Sequence, residues 1–138
     1  MSDFTREDAQ HILNTVMTPW LDDLSMQVES LTENGAVMRL PWHECIARDG
    51  GLITGQALMS FADAAMVVVI SSAIGGFRRM ATIDMTTSFL APAFNTDVIA
   101  RGEVLRRGKR MIYGRIDLET ADTGEAVALI QTTWTLLE

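Results

Sequence analysis

The chain has 138 residues, 48% hydrophobic and 21% charged, with ten glycines and three prolines, the make-up of one α+β-sized domain over residues 1–138 rather than of a disordered or collagen-like chain. A single cysteine, Cys45, excludes an internal disulfide and a cysteine-rich metal site, as in a reducing compartment. The net charge of −7 argues against nonspecific nucleic-acid binding, the opening residues Met1 to Asp8 lack a signal peptide's basic and apolar regions, and the apolar run Ala64–Ile70 falls far short of the roughly 18 residues of a membrane span. A cytoplasmic protein is expected, with neither nucleic acid nor membrane as partner.

Thr5 followed by Asp8 resembles a capping box, and Ala9, Ile12, Leu13, Val16, Met17 and Trp20 recur at helical spacing, predicting a first helix from about Arg6 to Thr18 that Pro19 ends or bends. From Leu24 to Leu31 apolar and polar residues alternate, the pattern of a half-buried strand. Asn34-Gly35 signals a hairpin, with a return strand over Ala36–Leu40 that stops at Pro41 and a loop running to Gly50-Gly51. Gly55 to Ile74 is apolar almost all round and closes on Gly75-Gly76, which predicts a buried central helix with a glycine cap. Its β-branched run Val67–Ile70 competes as a strand, but the helix formers upstream are continuous with it. Strands follow at about Met80–Leu90, Asp97–Leu105, Met111–Glu119 and Glu125–Leu136, with turns at Arg107-Gly108 and Asp122–Gly124. The order predicts an α+β fold in which an antiparallel sheet wraps one helix.

On that helix Gln56, Ser60 and Asp63 fall at i, i+4 and i+7 and share its one strongly polar stripe. An unpaired buried carboxylate costs several kcal/mol or protonates, so Asp63 needs a partner, a cation or a wet cleft; it either works in a cleft or hydrogen-bonds backbone at a subunit contact. Thr54 and Gly55 mark the helix start, where free amides hold an anion or a developing oxyanion; a plain N-cap and turn reads the same two residues equally well. Gly55 and Asp63 are about 12 Å apart along the axis, too far to act on one carbonyl, so a catalytic pair requires a second, antiparallel copy of the chain.

Residues 78–115 carry eight bases and three acids, a basic island that suits a discrete anionic group on a small ligand. Within it the turn Arg106-Arg107-Gly108-Lys109-Arg110 offers a grip for phosphates or is simply solvated, and Arg78-Arg79 is a smaller version. His11 and His43 are too far apart in sequence to form a zinc site, and no Ser-His-acid set or phosphate-binding glycine loop is present. No metal is expected.

Residues 50–63, Gly50-Gly51-Leu52-Ile53-Thr54-Gly55-Gln56-Ala57-Leu58-Met59-Ser60-Phe61-Ala62-Asp63, resemble the signature of hotdog-fold thioesterases of the phenylacetic acid degradation (PaaI-like) type. Residues 81–93 are similar to that family's next strand and residues 102–110 to its following hairpin, so the resemblance runs over about residues 35–138. It implies a homodimer or dimer of dimers that binds an acyl-CoA thioester between subunits near paired central helices. Asp63 then stands as general base or nucleophile, and Gly55 as the backbone N–H that polarises the carbonyl. Thr82 is the hydroxyl that helps hold water, and Thr54, Gln56, Ser60, Arg48, Arg107, Lys109 and Arg110 are substrate-binding. No cofactor is implied beyond coenzyme A as part of the substrate. Thr54-Gly55-Gln56 replaces the His-Gly-Gly of many members, and Arg48 stands where many carry Asn. The expected activity is hydrolysis of a small or medium, aliphatic or aromatic acyl-CoA. The alternative is an acyl or acyl-CoA binding protein without turnover, and a hotdog dehydratase ranks last because neither histidine sits at the helix start.

Overall fold

The structure, a computed structural model, describes residues 3–138; Met1 and Ser2 of the N-terminal stretch read above lie outside the described residues. Helix α1 spans Arg6–Thr15. The Thr5 hydroxyl accepts from the Asp8 amide at 3.1 Å while the Asp8 carboxylate accepts from the Thr5 amide at 2.9 Å, the expected capping box. The helix stops short of Thr18, because Thr18 precedes Pro19 and takes the extended backbone that such a position prefers (φ −61°, ψ 141°). Pro19–Leu24 then forms a short 3-10 helix closed by Ser25 in the left-handed region (φ 51°). Strand β1 therefore begins at Gln27, not at Leu24, and runs to Thr32. Leu24, Met26 and Val28 are all buried, so the alternation reported burial correctly but misplaced the start of the strand.

Strand β2 (Gly35–Leu40) returns across a two-residue turn at Glu33-Asn34, one residue before the expected Asn34-Gly35, because Gly35 already pairs with Thr32 as the first residue of the strand. The stretch expected as loop contains a two-residue antiparallel ladder, β3 (Ala47–Arg48) with β4 (Leu52–Ile53). Gly50 and Gly51 make it possible, both at φ 85°, where a side chain is strained. Helix α2 spans Gly55–Ile74 and ends on Gly75 at φ 88°, with the Gly75 and Gly76 amides both donating to the Ser71 carbonyl at 2.9 Å. Strands β5 (Met80–Phe89), β6 (Val98–Arg107), β7 (Met111–Thr120) and β8 (Ala126–Leu136) complete one six-stranded antiparallel sheet in the order β1-β2-β6-β7-β8-β5.

The sheet wraps α2. Phe61, Ala62, Ala65, Met66, Val68, Val69 and Ile70 of the helix are 0% exposed and share one core with Val28, Met38, Ile112, Ile116 and Ile130 from the strands. By length and composition α2 also meets the requirement for a membrane span, a point the interrupted run Ala64–Ile70 concealed; here the sheet covers it instead. Two glycines set how closely helix and sheet approach. A Cβ on Gly102 of β6 would lie 2.6 Å from Val69 Cγ2, and one on Gly114 of β7 would run into the Met66 terminal methyl.

The two sheet edges differ. On β1 the Gln10 side chain donates to the Met26 carbonyl at 3.2 Å and accepts from the Val28 amide at 2.8 Å, so α1 satisfies backbone groups that an edge otherwise leaves open. Beside it Arg39 joins Glu29 and Asp97, whose hydrogen bonds, Glu29's first, raise the guanidinium above its ordinary pKa. Asp97 also accepts from the Trp42 amide at 2.7 Å. Strand β5 has no such cover, and the apolar Ile83, Phe89 and Leu90 are each more than half exposed along or just past it.

Gly102→Ala is expected to lower unfolding free energy by about 1–3 kcal/mol, the usual cost of overpacking a filled core, measured as a drop in the urea midpoint at unchanged m-value.

Candidate active site

The site grows from the start of α2. Four amides at a helix start lack intrahelical acceptors. Here the Thr54 amide donates to the Ile46 carbonyl at 3.1 Å, and the Ala57 amide donates to Thr54 Oγ1 at 3.2 Å. That leaves Gly55 and Gln56 as the amides directed to the helix end. The Thr54 hydroxyl is thus an N-cap, worth about 1 kcal/mol to the helix. Gly55 is exposed but lies under the Phe89 ring, which a Cβ at this position would meet at 3.3 Å.

Further along α2, Asp63 is half-buried and accepts a hydrogen bond from Thr82 Oγ1 of β5 at 2.7 Å. Two of the candidate residues, a carboxylate and a hydroxyl, therefore meet within one chain, a contact that the sequence did not specify. Two further contacts fix the direction of β5 against the helix: Thr87 Oγ1 donates to Met59 Sδ at 2.8 Å, and Phe89 covers Gly55. Moving up β5 from Thr82 to Phe89 moves down α2 from Asp63 to Gly55, so the two run antiparallel.

The polar stripe is divided. Residues Val16 to Leu24 pass across α2 and separate two pockets. In one, of about 400 Å³, Thr54, Gln56 and Ser60 face Trp20, Asp23 and Cys45. In the other, of about 330 Å³, Asp63 and Thr82 sit among Met17, Leu21, Phe77 and Trp134. Sequence reasoning placed Gln56, Ser60 and Asp63 on one face and missed the partition, because the strap that makes it reads only as the tail of a helical pattern. Trp134 is 3% exposed and its indole N–H is buried without a partner among the described residues.

Arg48 lies elsewhere. It is exposed on β3, in a cleft with Trp42, Glu44, Asp49 and Asn95 that includes no residue of α2. Arg107, Lys109 and Arg110 are exposed in the β6–β7 turn, and among the described residues none of them has a carboxylate partner. The Arg78-Arg79 pair converges on the same end of the sheet, since the carbonyls of Arg110 and Arg79 accept from the consecutive amides of Leu136 and Leu137 at 2.8 and 2.9 Å. Arg78 and Arg79 are held by Glu138. Met80, next to Arg79, lines the Asp63 pocket, so this cationic end adjoins the carboxylate.

The two histidines do not supply chemistry at Asp63. His11 is exposed on α1. His43 Nε2 lies 2.6 Å from the Asp23 carbonyl, and Cys45 Sγ lies 3.0 Å from His43 Nδ1 and 3.6 Å from Nε2. A sulfur so nearly equidistant from both ring nitrogens is off the in-plane lone pair of either, so it lacks the alignment of a thiol–imidazole dyad. Among the described residues no group of three or more His, Cys, Asp or Glu side chains is arranged to hold a metal.

A long helix enclosed by a six-stranded antiparallel sheet, with its polar groups brought out beside the last-ordered strand, is the hotdog fold. The chain belongs to the thioesterase superfamily, whose sequence profile matches residues 50–127. A protein of Thermoplasma acidophilum, named provisionally as an esterase, is 26% identical over 119 residues that cover 86% of each chain. The PaaI protein from the phenylacetic acid degradation operon of Escherichia coli superposes with a TM-score of 0.81 at 19% identity, over 97% of this chain and 96% of that one. A thioesterase of Haemophilus influenzae gives 0.82 at 18% identity, over 99% and 95%. At such identities the two solved structures establish the fold.

Cys45 is exposed on the rim of the pocket with Thr54 and Gln56, so Ellman's reagent is expected to titrate it without denaturant. A thiol that appears only after unfolding shows that pocket to be closed in solution.

Proposed function

We propose that this thioesterase-superfamily protein hydrolyses small or medium acyl-CoA thioesters in the cytoplasm, at a site shared by two subunits. The observation that carries the reading is the Thr82–Asp63 hydrogen bond at 2.7 Å beside an apolar pocket. One carboxylate oxygen is oriented by the hydroxyl, which leaves the other to take a proton from water as the water oxygen attacks the thioester carbonyl. The tetrahedral oxyanion is held by a helix-start amide; as it collapses the C–S bond breaks, and the CoA thiolate takes up the proton that Asp63 had removed from water, leaving the free acid and CoA thiol. The cations at the adjoining sheet end bind the CoA phosphates, Arg107, Lys109 and Arg110 foremost.

Within one chain the oxyanion donor at Gly55 is about 12 Å from Asp63 along the helix. Two features support a second copy as the remedy. Strand β5 is a ten-residue edge with exposed apolar side chains, and such an edge pairs readily with another strand. Because β5 and α2 run antiparallel, a two-fold axis that pairs β5 with its copy also sets the α2 helices antiparallel, and the Gly55 amide of the partner subunit comes toward Asp63.

A second reading, acyl-thioester binding without turnover, is favoured by one observation: the Thr54 hydroxyl, at the place of the histidine in many relatives, is committed to capping.

Asp63→Ala is expected to reduce kcat by about 10²–10⁴-fold with acyl-CoA binding retained; a wild type that binds acyl-CoA but releases no CoA establishes the second reading. Gly55→Pro deletes the amide while keeping the helix start, since Thr54 is already extended (φ −71°, ψ 151°) and proline suits the first helical position. Mixing the Asp63→Ala and Gly55→Pro proteins is expected to restore about a quarter of wild-type activity, because random exchange leaves one intact pair in each mixed dimer. Mixtures that stay inactive place both groups of a working site in one chain. Lys109→Glu is expected to raise KM for acyl-CoA by about tenfold, the loss of one charge-assisted contact, with little effect on the matching N-acetylcysteamine thioester, which has no phosphates.

A further inference from the structure

The strap from Val16 to Leu21 lies outside the residues matched by the superfamily profile, which begin at residue 50. It is nonetheless one wall of the pocket that holds Asp63 and Thr82. Val16, Met17 and Leu21 face Val67, Phe77 and Trp134 across a space of about 330 Å³. The strap is anchored at both ends: by α1, whose Ala9, Ile12 and Leu13 are buried and whose Gln10 holds β1, and by Leu24, 4% exposed. Between those anchors Met17 and Leu21 are half-buried and Val16 is 45% exposed. A wall held at both ends has a fixed position, while its side chains set the width of the space that it encloses.

We propose that Met17 and Leu21 are specificity-determining residues which restrict the acyl group to a short or single-ring apolar structure. The inference rests on the thioesterase reading and names its substrate class. The volume is at the small end of the roughly 300–1,000 Å³ typical of ligand pockets. Most of the pocket lining is apolar and partly aromatic, with Thr18 on the strap and, opposite, the Asp63–Thr82 pair that would act on the carbonyl. One ring or a few methylenes fill this space, whereas a long fatty chain extends beyond its apolar walls. Methionine and leucine at the wall make the limit adjustable by single substitutions.

The experiment measures kcat/KM for acetyl-, benzoyl- and lauroyl-CoA with the wild type, Met17→Trp and Leu21→Ala, each checked for folding by circular dichroism. The wild type is expected to favour acetyl or benzoyl over lauroyl. Met17→Trp is expected to lower the benzoyl-to-acetyl ratio by about tenfold or more, and Leu21→Ala to raise the lauroyl-to-acetyl ratio by a similar factor, the size of effect that a methylene or two has in a tight pocket. The variants push in opposite directions, so one that fails to fold leaves the other decisive. A wild type that prefers lauroyl-CoA, or folded variants with unchanged ratios, overturns the inference while leaving the activity intact. If no thioester is hydrolysed by the wild type, the proposed activity fails instead. The same ratios are then read from acyl-CoA dissociation constants by equilibrium dialysis, where unchanged ratios overturn the pocket assignment separately.

Discussion

A helix of twenty residues that is apolar on nearly every side has to be enclosed, and everything else in this chain follows from how the enclosure is made. A single sheet covers one side of a cylinder. Here it does so closely, because Gly102 and Gly114 remove the side chains that would hold Val69 and Met66 away, and apolar burial at about 25 cal/mol per Å² rewards that approach. The side left uncovered cannot be apolar without cost, so the polar residues of the helix collect there. Asp63 is placed where it is by what the core excludes as much as by what the site requires.

The uncovered side is then managed by the chain itself. The N-terminal strap crosses the polar stripe and turns one continuous surface into two compartments: Gln56 and Ser60 in a pocket near Cys45, Asp63 and Thr82 in one beside Phe77 and Trp134. Thr82 is exposed on β5, so its hydrogen bond orients the half-buried Asp63 carboxylate with solvent alongside. The helix start is exposed as well, at Gly55, and the Thr54 hydroxyl is spent on capping. Thr54 and Asp63 line separate pockets along one helix.

Much of this was legible in sequence because the signals were local. The capping box at Thr5 and Asp8 and the left-handed stop at Gly75 each have a backbone reason that does not depend on the rest of the fold, the hairpin between β1 and β2 was found with its turn one residue off, and the strands β5 to β8 began and ended within a residue or two of their expected limits. Errors came where backbone and burial disagree. Leu24 and Met26 alternate in burial with their neighbours, yet Ser25 between them is left-handed, so a strand pattern appears without a strand at its start. The helical spacing of Val16 and Met17 persists after the helix has stopped. The ladder between β3 and β4 is too short for any periodicity to register. At the site, the stripe on α2 was visible because it is periodic within one element, Thr82 was singled out only through family resemblance, and its hydrogen bond to Asp63 was not foreseen. The strap's passage between Ser60 and Asp63, the Phe89 ring over Gly55 and the seclusion of Arg48 depend on contacts between distant segments, for which a single sequence holds no signal.

The unequal edges of the sheet carry one more consequence. Gln10 offers β1 a side-chain amide in place of a neighbouring strand, its oxygen meeting Val28 N–H and its nitrogen the Met26 carbonyl, so the start of that margin is already engaged. Strand β5 carries no comparable side-chain cover among the described residues. Two copies joined through β5 as proposed would leave β1 outermost at both ends, with its first backbone groups already engaged by Gln10. A glutamine on the first helix would in that arrangement discourage further strand addition at the outer margin, while the apolar margin at β5 stays available for a single partner.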